Sequence, residues 1–394
     1  MEGPHTYMNQ QNPVGPPRGF RDILPTEARE LGVIEQTLAE VFADSGFTPL
    51  HPPLLEFGAV DSAKPRRIQF LDSDGNLVAL RPDLTTSVAR LVAGRYRDMN
   101  GVLRLSYIAP VFREEPAMSG VAREVLQAGV ELIGGDGALA DAEILALLAE
   151  SLERCGLSVR ESTVQVGSIR LASGLFGILA DAARGDILRA LREGDIAGAL
   201  SRAREAGMPA DHLERAARAL AGGDGVEAEA DLCRVIDLAR ERWPGKDKRW
   251  GVPNLGLVPA LPYYTGVVFE AIHADVGVVA SGGRYDLLIG AFGEPRPAIG
   301  FAIDVLQLHR ALFAGAWQPR SQRPLLLLRA SPDERATMRC AATIRGGGMA
   351  VALGDVVERA GRSVIHAEVV DERFVKLDDG PVAEAATLGR DFVS

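Results

Sequence analysis

Between residues 28 and 42 the apolar side chains Ala28, Leu31, Ile34, Leu38, Val41 and Phe42 recur every three or four positions, the spacing of one buried helix face. Thr26 stands where an N-cap is needed, Glu27 puts an acid in the first turn, and Gly46 ends the run. Beyond it the period changes. Residues 48–56 read as one extended, proline-punctuated strand, 77–81 as a strand, 84–93 as a helix, 102–112 as a long strand and 121–132 as another extended run. Residues 140–154, rich in Ala and Leu, form a helix closed by Gly156. From about 171 to 242 Ala, Arg and Glu dominate, glycine marks the breaks and no strand pattern appears, which predicts an inserted helical subdomain of three or four helices. Strands return at 267–272 and 276–280 about a turn at 273–275, and a helix follows over 303–314.

The remainder has its own rhythm. After a linker at 315–323 come an apolar strand at 324–328, a helix at 333–345 entered through Ser331-Pro332, a strand at 349–353, and further extended runs at 364–370 and 373–377. Three parts are therefore expected: a flexible N-terminal tail over 1–17, a core over 18–320 that holds the helical insertion, and a small α/β domain over 322–394. The fold class is α+β, a mostly antiparallel sheet with flanking helices.

Composition narrows the partners. The formal charge is −10, which repels nucleic acid, and the segment 322–394 carries 10 Lys and Arg against 11 Asp and Glu, a poor grip on RNA. Cys155, Cys233 and Cys340 are far apart, no CxxC occurs, and the six histidines do not cluster at ligand spacing. Neither a metal site nor a disulfide framework nor a cofactor is expected. No apolar run approaches the ~20 residues of a membrane span, and the polar, Pro-rich N-terminus has no apolar signal core. A cytoplasmic location is the expectation.

Several residues carry two readings each. Glu131 lies on an apolar strand, where a lone carboxylate is costly unless paired; it either faces a ligand or pairs with an arginine such as Arg123 or Arg284. Asp83 is either a ligand-facing acid or the N-cap of the helix that starts at Leu84. Tyr263 and Tyr264 are either strand aromatics or pocket lining. Gly282-Gly283 marks a hairpin or bulge, or a place where backbone approaches a ligand closely. Arg113 either meets an anion or makes a structural ion pair, and the helical insertion is either a solvated packing module or a surface for a partner.

Four segments resemble class II aminoacyl-tRNA synthetases of the histidyl type. HPPLLE (51–56) resembles the dimer-forming motif 1, preceded by GFRDILP (19–25), which is similar to the family's entry loop. RPDLT (81–85) resembles the segment whose acid and threonine hold the amino group of histidine, with Asp83 where glutamate is usual. FREEP (112–116) followed by GVAREVLQAGVELIG (120–134) resembles motif 2 and the segment that offers a glutamine and a glutamate to histidine, at Gln127 and Glu131. Tyr263-Tyr264 with SGGRYD (281–286) resembles the imidazole-binding segments, and 298–308 resembles motif 3. The resemblance implies a class II synthetase-like core in which Asp83, Gln127 and Thr85 satisfy an ammonium. Glu131 and a hydroxyl from Tyr263 or Tyr264 would fix the two ring nitrogens of an imidazole. Arg113 stands at the motif 2 arginine.

The departures from that pattern are selective. Amino-acid activation must neutralise developing phosphate charge, which takes arginines held in place. Pro259, Val121 and Gln307 stand where the family has arginines, Val125 where an aromatic ring would stack on adenine, and Asp304 where motif 3 has a glycine. The basic loop has become PAMSGV (116–121), and the C-terminal α/β segment is cut short relative to an anticodon-binding domain. The whole pattern is similar to the regulatory subunits of ATP phosphoribosyltransferase, paralogues of histidyl-tRNA synthetase. That family implies a non-catalytic chain that dimerises through its core and joins a short-form catalytic subunit in a hetero-octamer. It would serve the first step of histidine biosynthesis and carry feedback inhibition by histidine.

Overall fold

The structure, a computed structural model, describes residues 14–58, 67–99, 101–114, 122–157, 161–220, 230–242, 250–259, 261, 263–315, 317, 325–329, 331–347, 349–353, 363–371, 373–378, 382–385 and 387–388. Two compact units divide the chain, Met1–Asp22 with Ile34–Trp317, and Ile23–Val33 with Gln318–Ser394. Helix α1 (Pro25–Asp44) passes from one unit into the other, burying Leu31, Ile34, Leu38, Val41 and Phe42 as the apolar period requires.

The large unit continues through β1 (Thr48–Pro49), β2 (Leu55–Phe57), β3 (Gln69–Leu71), β4 (Leu77–Leu80), α2 (Leu84–Arg95), β5 (Leu103–Phe112), β6 (Glu124–Ile133) and α3 (Gly137–Cys155). After β7 (Ser162–Ser168) come five helices, α4 (Ile169–Leu175), α5 (Asp181–Arg192), α6 (Ile196–Glu205), α7 (Ala210–Leu220) and α8 (Ala230–Glu241). Strands β8 (Trp250–Pro253), β9 (Val267–His273), β10 (Gly277–Arg284) and β11 (Ala298–Asp304) lead to α9 (Val305–Ala314). The main sheet has the order β1-β5-β6-β11-β10-β9-β7-β8. Its inner pairs are antiparallel and both edge pairs, β1 with β5 and β7 with β8, are parallel. The sheet is thus mixed, and its flanking helices make the fold α+β.

Where the structure departs from the sequence pattern, backbone chemistry explains it. Residues 48–56 are not one strand. Pro52 and Pro53 lack the N–H that a ladder needs, so the chain leaves the main sheet after β1 and re-enters a separate three-stranded sheet, β2-β4-β3. Arg81, 4% exposed, secures that crossing by donating to the carbonyls of Pro110, Pro52 and Pro53. Strand β10 runs on past Ala280 to include Gly282 and Gly283, which are sheet residues and not a hairpin. Residues 298–304 are a strand, and the following helix starts only at Val305 because Asp304 caps it, accepting from the amides of Leu306 and Gln307. Strands β7 and β8 were not predicted, although Val164 and Val166 of β7 alternate with Thr163 and Gln165.

Among the described residues the insertion holds five helices where three or four were expected, and they do not act as one group. α4 to α7 share a core around Phe176, Ile187, Leu191, Met208 and Leu220, whereas α8 packs on α3. In the second unit, β12 (Leu325–Arg329), α10 (Glu334–Gly346), β13 (Ala350–Leu353), β14 (Val364–Val369), β15 (Phe374–Leu377) and β16 (Val382–Glu384) form a sheet ordered β13-β12-β14-β15-β16. Its core gathers Leu326, Leu328, Cys340, Ile344 and Val375. Among the described residues no helix is long and apolar enough to cross a membrane. The N-terminal residues 1–13 and the PAMSGV loop lie outside the described residues.

Close packing of the sheet rests on glycines. A Cβ on Gly300 would lie 1.9 Å from Glu131 Oε2 and 2.3 Å from the Val130 carbonyl oxygen, neither of which can yield cheaply. We expect Gly300→Ala to cost about 2 kcal/mol or more in a urea titration. Gly94→Ala, on an exposed site in α2 with nothing within 4 Å, should stabilise by about 0.5–1 kcal/mol. Equal stability of Gly300→Ala and the parent would contradict this packing.

Candidate functional site

One face of the main sheet collects the polar side chains. Residues directly opposite in an antiparallel ladder share a face, and so do alternate residues along a strand. Tyr107 of β5 pairs with Gly129 of β6, Glu131 with Gly300 of β11, and Gly300 with Gly283 of β10. Tyr107, Gln127, Glu131 and Asp304 therefore point to the same side, with Ser281 and Glu270 on neighbouring strands. Glycine is needed across this seam. A Cβ on Gly129 would lie 2.6 Å from the Tyr107 hydroxyl, and one on Gly283 2.9 Å from the Tyr264 ring.

Glu131 is the centre of the arrangement, 1% exposed. Tyr107 Oη donates to its Oε1 at 3.2 Å and Tyr285 Oη donates to its Oε2, while the nearby Thr85 hydroxyl favours the charged form. Burial pushes the Glu131 carboxyl up to about 7, against the pull of those hydroxyls, and the negative charge of Asp83 adds to the rise. Arginine pairing is ruled out as its support. Arg123 pairs with Glu114 and lies over the Phe20 ring, 5.5 Å from its centroid. Arg284 is bound by Asp141, at 2.5 Å from Nη2, and by Asp286 at 3.0 Å. Among the described residues, Glu131 has no cation within ion-pair distance.

The other candidates fall around it. Asp83 is 8% exposed and does cap α2, its Oδ1 accepting from the Thr86 amide at 2.7 Å, yet its charge reaches Glu131, Tyr263 and Tyr264. The N-cap reading holds, and the same carboxylate lies near the tyrosines and Glu131. The Tyr263 and Tyr264 rings lie tilted against each other at 4.9 Å between centroids, and Tyr263 meets Tyr285 edge-on at 6.0 Å. Burial raises both of these phenols. Gln127 is 9% exposed, opposite Asp304. Arg113 sits at the far end of this face, its Nε donating to the Pro82 carbonyl at 3.1 Å.

Two residues were not singled out from the sequence, Tyr107 and Tyr285. Tyr285 was inside the SGGRYD segment; its neighbours Arg284 and Asp286 turn away to tie β10 to α3 and to the Ala298 amide. Tyr107 had a usable signal, an aromatic on the strand that pairs with the Gly129 strand. The positions that depart from the synthetase pattern are engaged elsewhere. Arg310 donates to Gln307 Oε1 at 3.1 Å, Arg192 donates to the Pro259 carbonyl at 3.0 Å, and Val125 packs into the apolar cluster that holds Tyr107 and Tyr285. Val121 lies outside the described residues.

Known proteins resemble this chain over most of its length. The family model of histidyl-tRNA synthetases matches residues 19–308. An ATP phosphoribosyltransferase regulatory subunit of Anaeromyxobacter sp. is 38% identical over 343 residues, 81% of this chain and 98% of its own length. One of Symbiobacterium thermophilum is 34% identical over 372 residues, 88% of this chain and 92% of its own. A solved structure described as an ATP phosphoribosyltransferase regulatory subunit/histidyl-tRNA synthetase from Bacillus halodurans has a TM-score of 0.77 at 27% identity, covering 91% of this chain and 99% of that one. The histidyl-tRNA synthetase of Nostoc sp. shares the fold, with a TM-score of 0.75 at 20% identity over 97% of this chain and 99% of that one.

The buried carboxyl sets a pH signature. A Glu131 that stays protonated to about 7 when folded, but ionises near its ordinary value of 4.5 when unfolded, adds stability at low pH that is lost as pH rises through that window. Glu131→Gln should therefore lose less thermal stability than the parent between pH 5 and pH 8, measured by melting temperature. Identical losses for the two proteins would show that Glu131 does not titrate there.

Proposed function

Since this chain belongs to the ATP phosphoribosyltransferase regulatory-subunit family, on a core of the histidyl-tRNA synthetase type, we propose that it is the non-catalytic partner of a short-form ATP phosphoribosyltransferase. In that role it is required for the first step of histidine biosynthesis and makes that step answer to histidine. The observation that supports this reading most is the division of the pocket. The half suited to histidine is built and buried, while the half suited to ATP has its positions occupied by other contacts.

The chemistry of a histidine ligand fits the first half. Its imidazole offers one donor and one acceptor when neutral; Glu131 accepts the N–H, and the hydroxyl of Tyr263 or Tyr264 donates to the other nitrogen. The ammonium is met by the Asp83 charge, the Gln127 carbonyl and Thr85. Arg113, as the cation on this face, is the group available to the ligand carboxylate. A site that hydrogen-bonds its ligand at so many atoms rejects analogues that cannot pair.

Activation of an amino acid needs arginines aimed at the phosphates, and Pro259 and Gln307 supply none. Synthetase activity is lost on this reading. The chain acts in the cytoplasm as a homodimer formed through its core and assembles with the catalytic subunit into a hetero-octamer, without nucleic acid or membrane. Histidine regulates that assembly only by binding its two states unequally, with a coupling of about 1–3 kcal/mol.

Mixing the purified chain with a short-form ATP phosphoribosyltransferase should raise its activity, give one co-eluting peak on sizing chromatography, and make the activity fall when histidine is added. Two separate peaks and unchanged activity would overturn the proposal. Histidine-dependent exchange of pyrophosphate into ATP by the chain alone would favour an active synthetase instead.

A further inference from the structure

Helices α4 to α7 have no task in binding a ligand at Glu131, yet they hold the segment that carries the pocket tyrosines. Tyr263 and Tyr264 lie on the connection between β8 and β9, which among its described residues has no helix or strand of its own to fix it. Ahead of the tyrosines that connection is anchored in the helical block. Val258, 6% exposed, shares the apolar core of Phe176, Ile187 and Leu191, and the Pro259 carbonyl accepts from Arg192 Nε of α5 at 3.0 Å. Behind the tyrosines α4 takes hold. Arg170 Nε donates to the Thr265 carbonyl at 3.0 Å, and the Ile169 amide donates to the Gly266 carbonyl at 2.9 Å. The same stretch also meets the sheet, where the Thr265 amide donates to the Arg284 carbonyl at 2.7 Å. Next to Arg284 stands Tyr285, which supports Glu131.

A connection without ladder hydrogen bonds takes its conformation from what grips it, and it opens locally at little cost when the grips are few. Arg170 and Arg192 are both exposed, so each grip is a hydrogen bond of modest net strength to a backbone carbonyl. We propose that Arg170 and Arg192 position the tyrosine segment and make the helical insertion the relay of the pocket. A ligand that engages Tyr263 and Tyr264 narrows the motion of this segment, and the same bonds pass that ordering to α4 and α5. The coupling runs both ways, because a state of the helices that favours one placement of the tyrosines binds the ligand better. The inference rests on the reading that histidine binds at these tyrosines, and it gives their occupancy a route to an exposed helical surface.

Hydrogen exchange of the full-length protein tests this in two arms. Without ligand, the double change Arg170→Ala and Arg192→Ala should speed amide exchange over residues 257–266 about tenfold. Arg170→Lys with Arg192→Lys keeps a donor at each place and should return exchange toward the parent rate. Unchanged exchange in the alanine variant would overturn the proposal. With saturating histidine, exchange in the parent should slow both over 263–266 and across α4 and α5, whereas in the alanine variant only the tyrosine segment should slow. Slowing confined to the tyrosine segment of the parent would equally overturn it. No slowing anywhere in the parent would refute the histidine reading, and the first arm alone then upholds or overturns the hold of the helices on the tyrosines.

Discussion

A carboxylate in the middle of a sheet, sealed from water and without a cation beside it, is a costly thing to build. Glu131 is such a group, and hydroxyls from Tyr107 and Tyr285 are what hold it. That single constraint organises the strands around it. Gly300 has no side chain because the carboxylate occupies its space, and Gly129 has none because the Tyr107 ring does. A raised carboxyl is therefore a consequence of the packing, and it leaves a group that can be neutral or charged near pH 7.

Around this centre the charged residues divide into scaffold and site. Arg81 fastens three carbonyls where the chain changes sheets, and Arg284 fastens β10 to Asp141 and Asp286. Both lie in segments that resemble ligand-binding motifs, and neither is free to meet a ligand. The groups left facing the pocket are Asp83, Gln127, Glu131 and Arg113 with the tyrosines. On the proposed reading, the acids Asp83 and Glu131 at one end and Arg113 beside Asp304 at the other suit a small ligand bearing an imidazole and an ammonium better than a triphosphate.

Much of this was legible before the structure. The period of α1, the N-cap and glycine signals of α2 and α3, and the alternation of β5 and β6 follow from local chemistry that sequence displays directly. Asp83, Gln127, Glu131 and the tyrosine pair were identifiable as candidates, and the structure gathers them. What was not legible depended on pairing between distant segments. The split of 48–56 between two sheets, the strand at 298–304 and the assignment of α8 to α3 rather than to the helical block are set by partners far away in the chain. The same holds for Tyr107, whose role comes from lying across the ladder from Gly129, and for the choice between ion pairing and hydroxyl support at Glu131.

If Glu131 is the group that reads the imidazole, then the charge it carries above its titration range matters to affinity, and the shape of its side chain alone is not enough. Calorimetric titration of histidine at pH 8 into the parent protein and into Glu131→Gln compares these directly, since glutamine keeps the shape and the oxygen but not the charge. The account predicts that affinity falls about tenfold or more in the variant. Equal dissociation constants for the two proteins would contradict it.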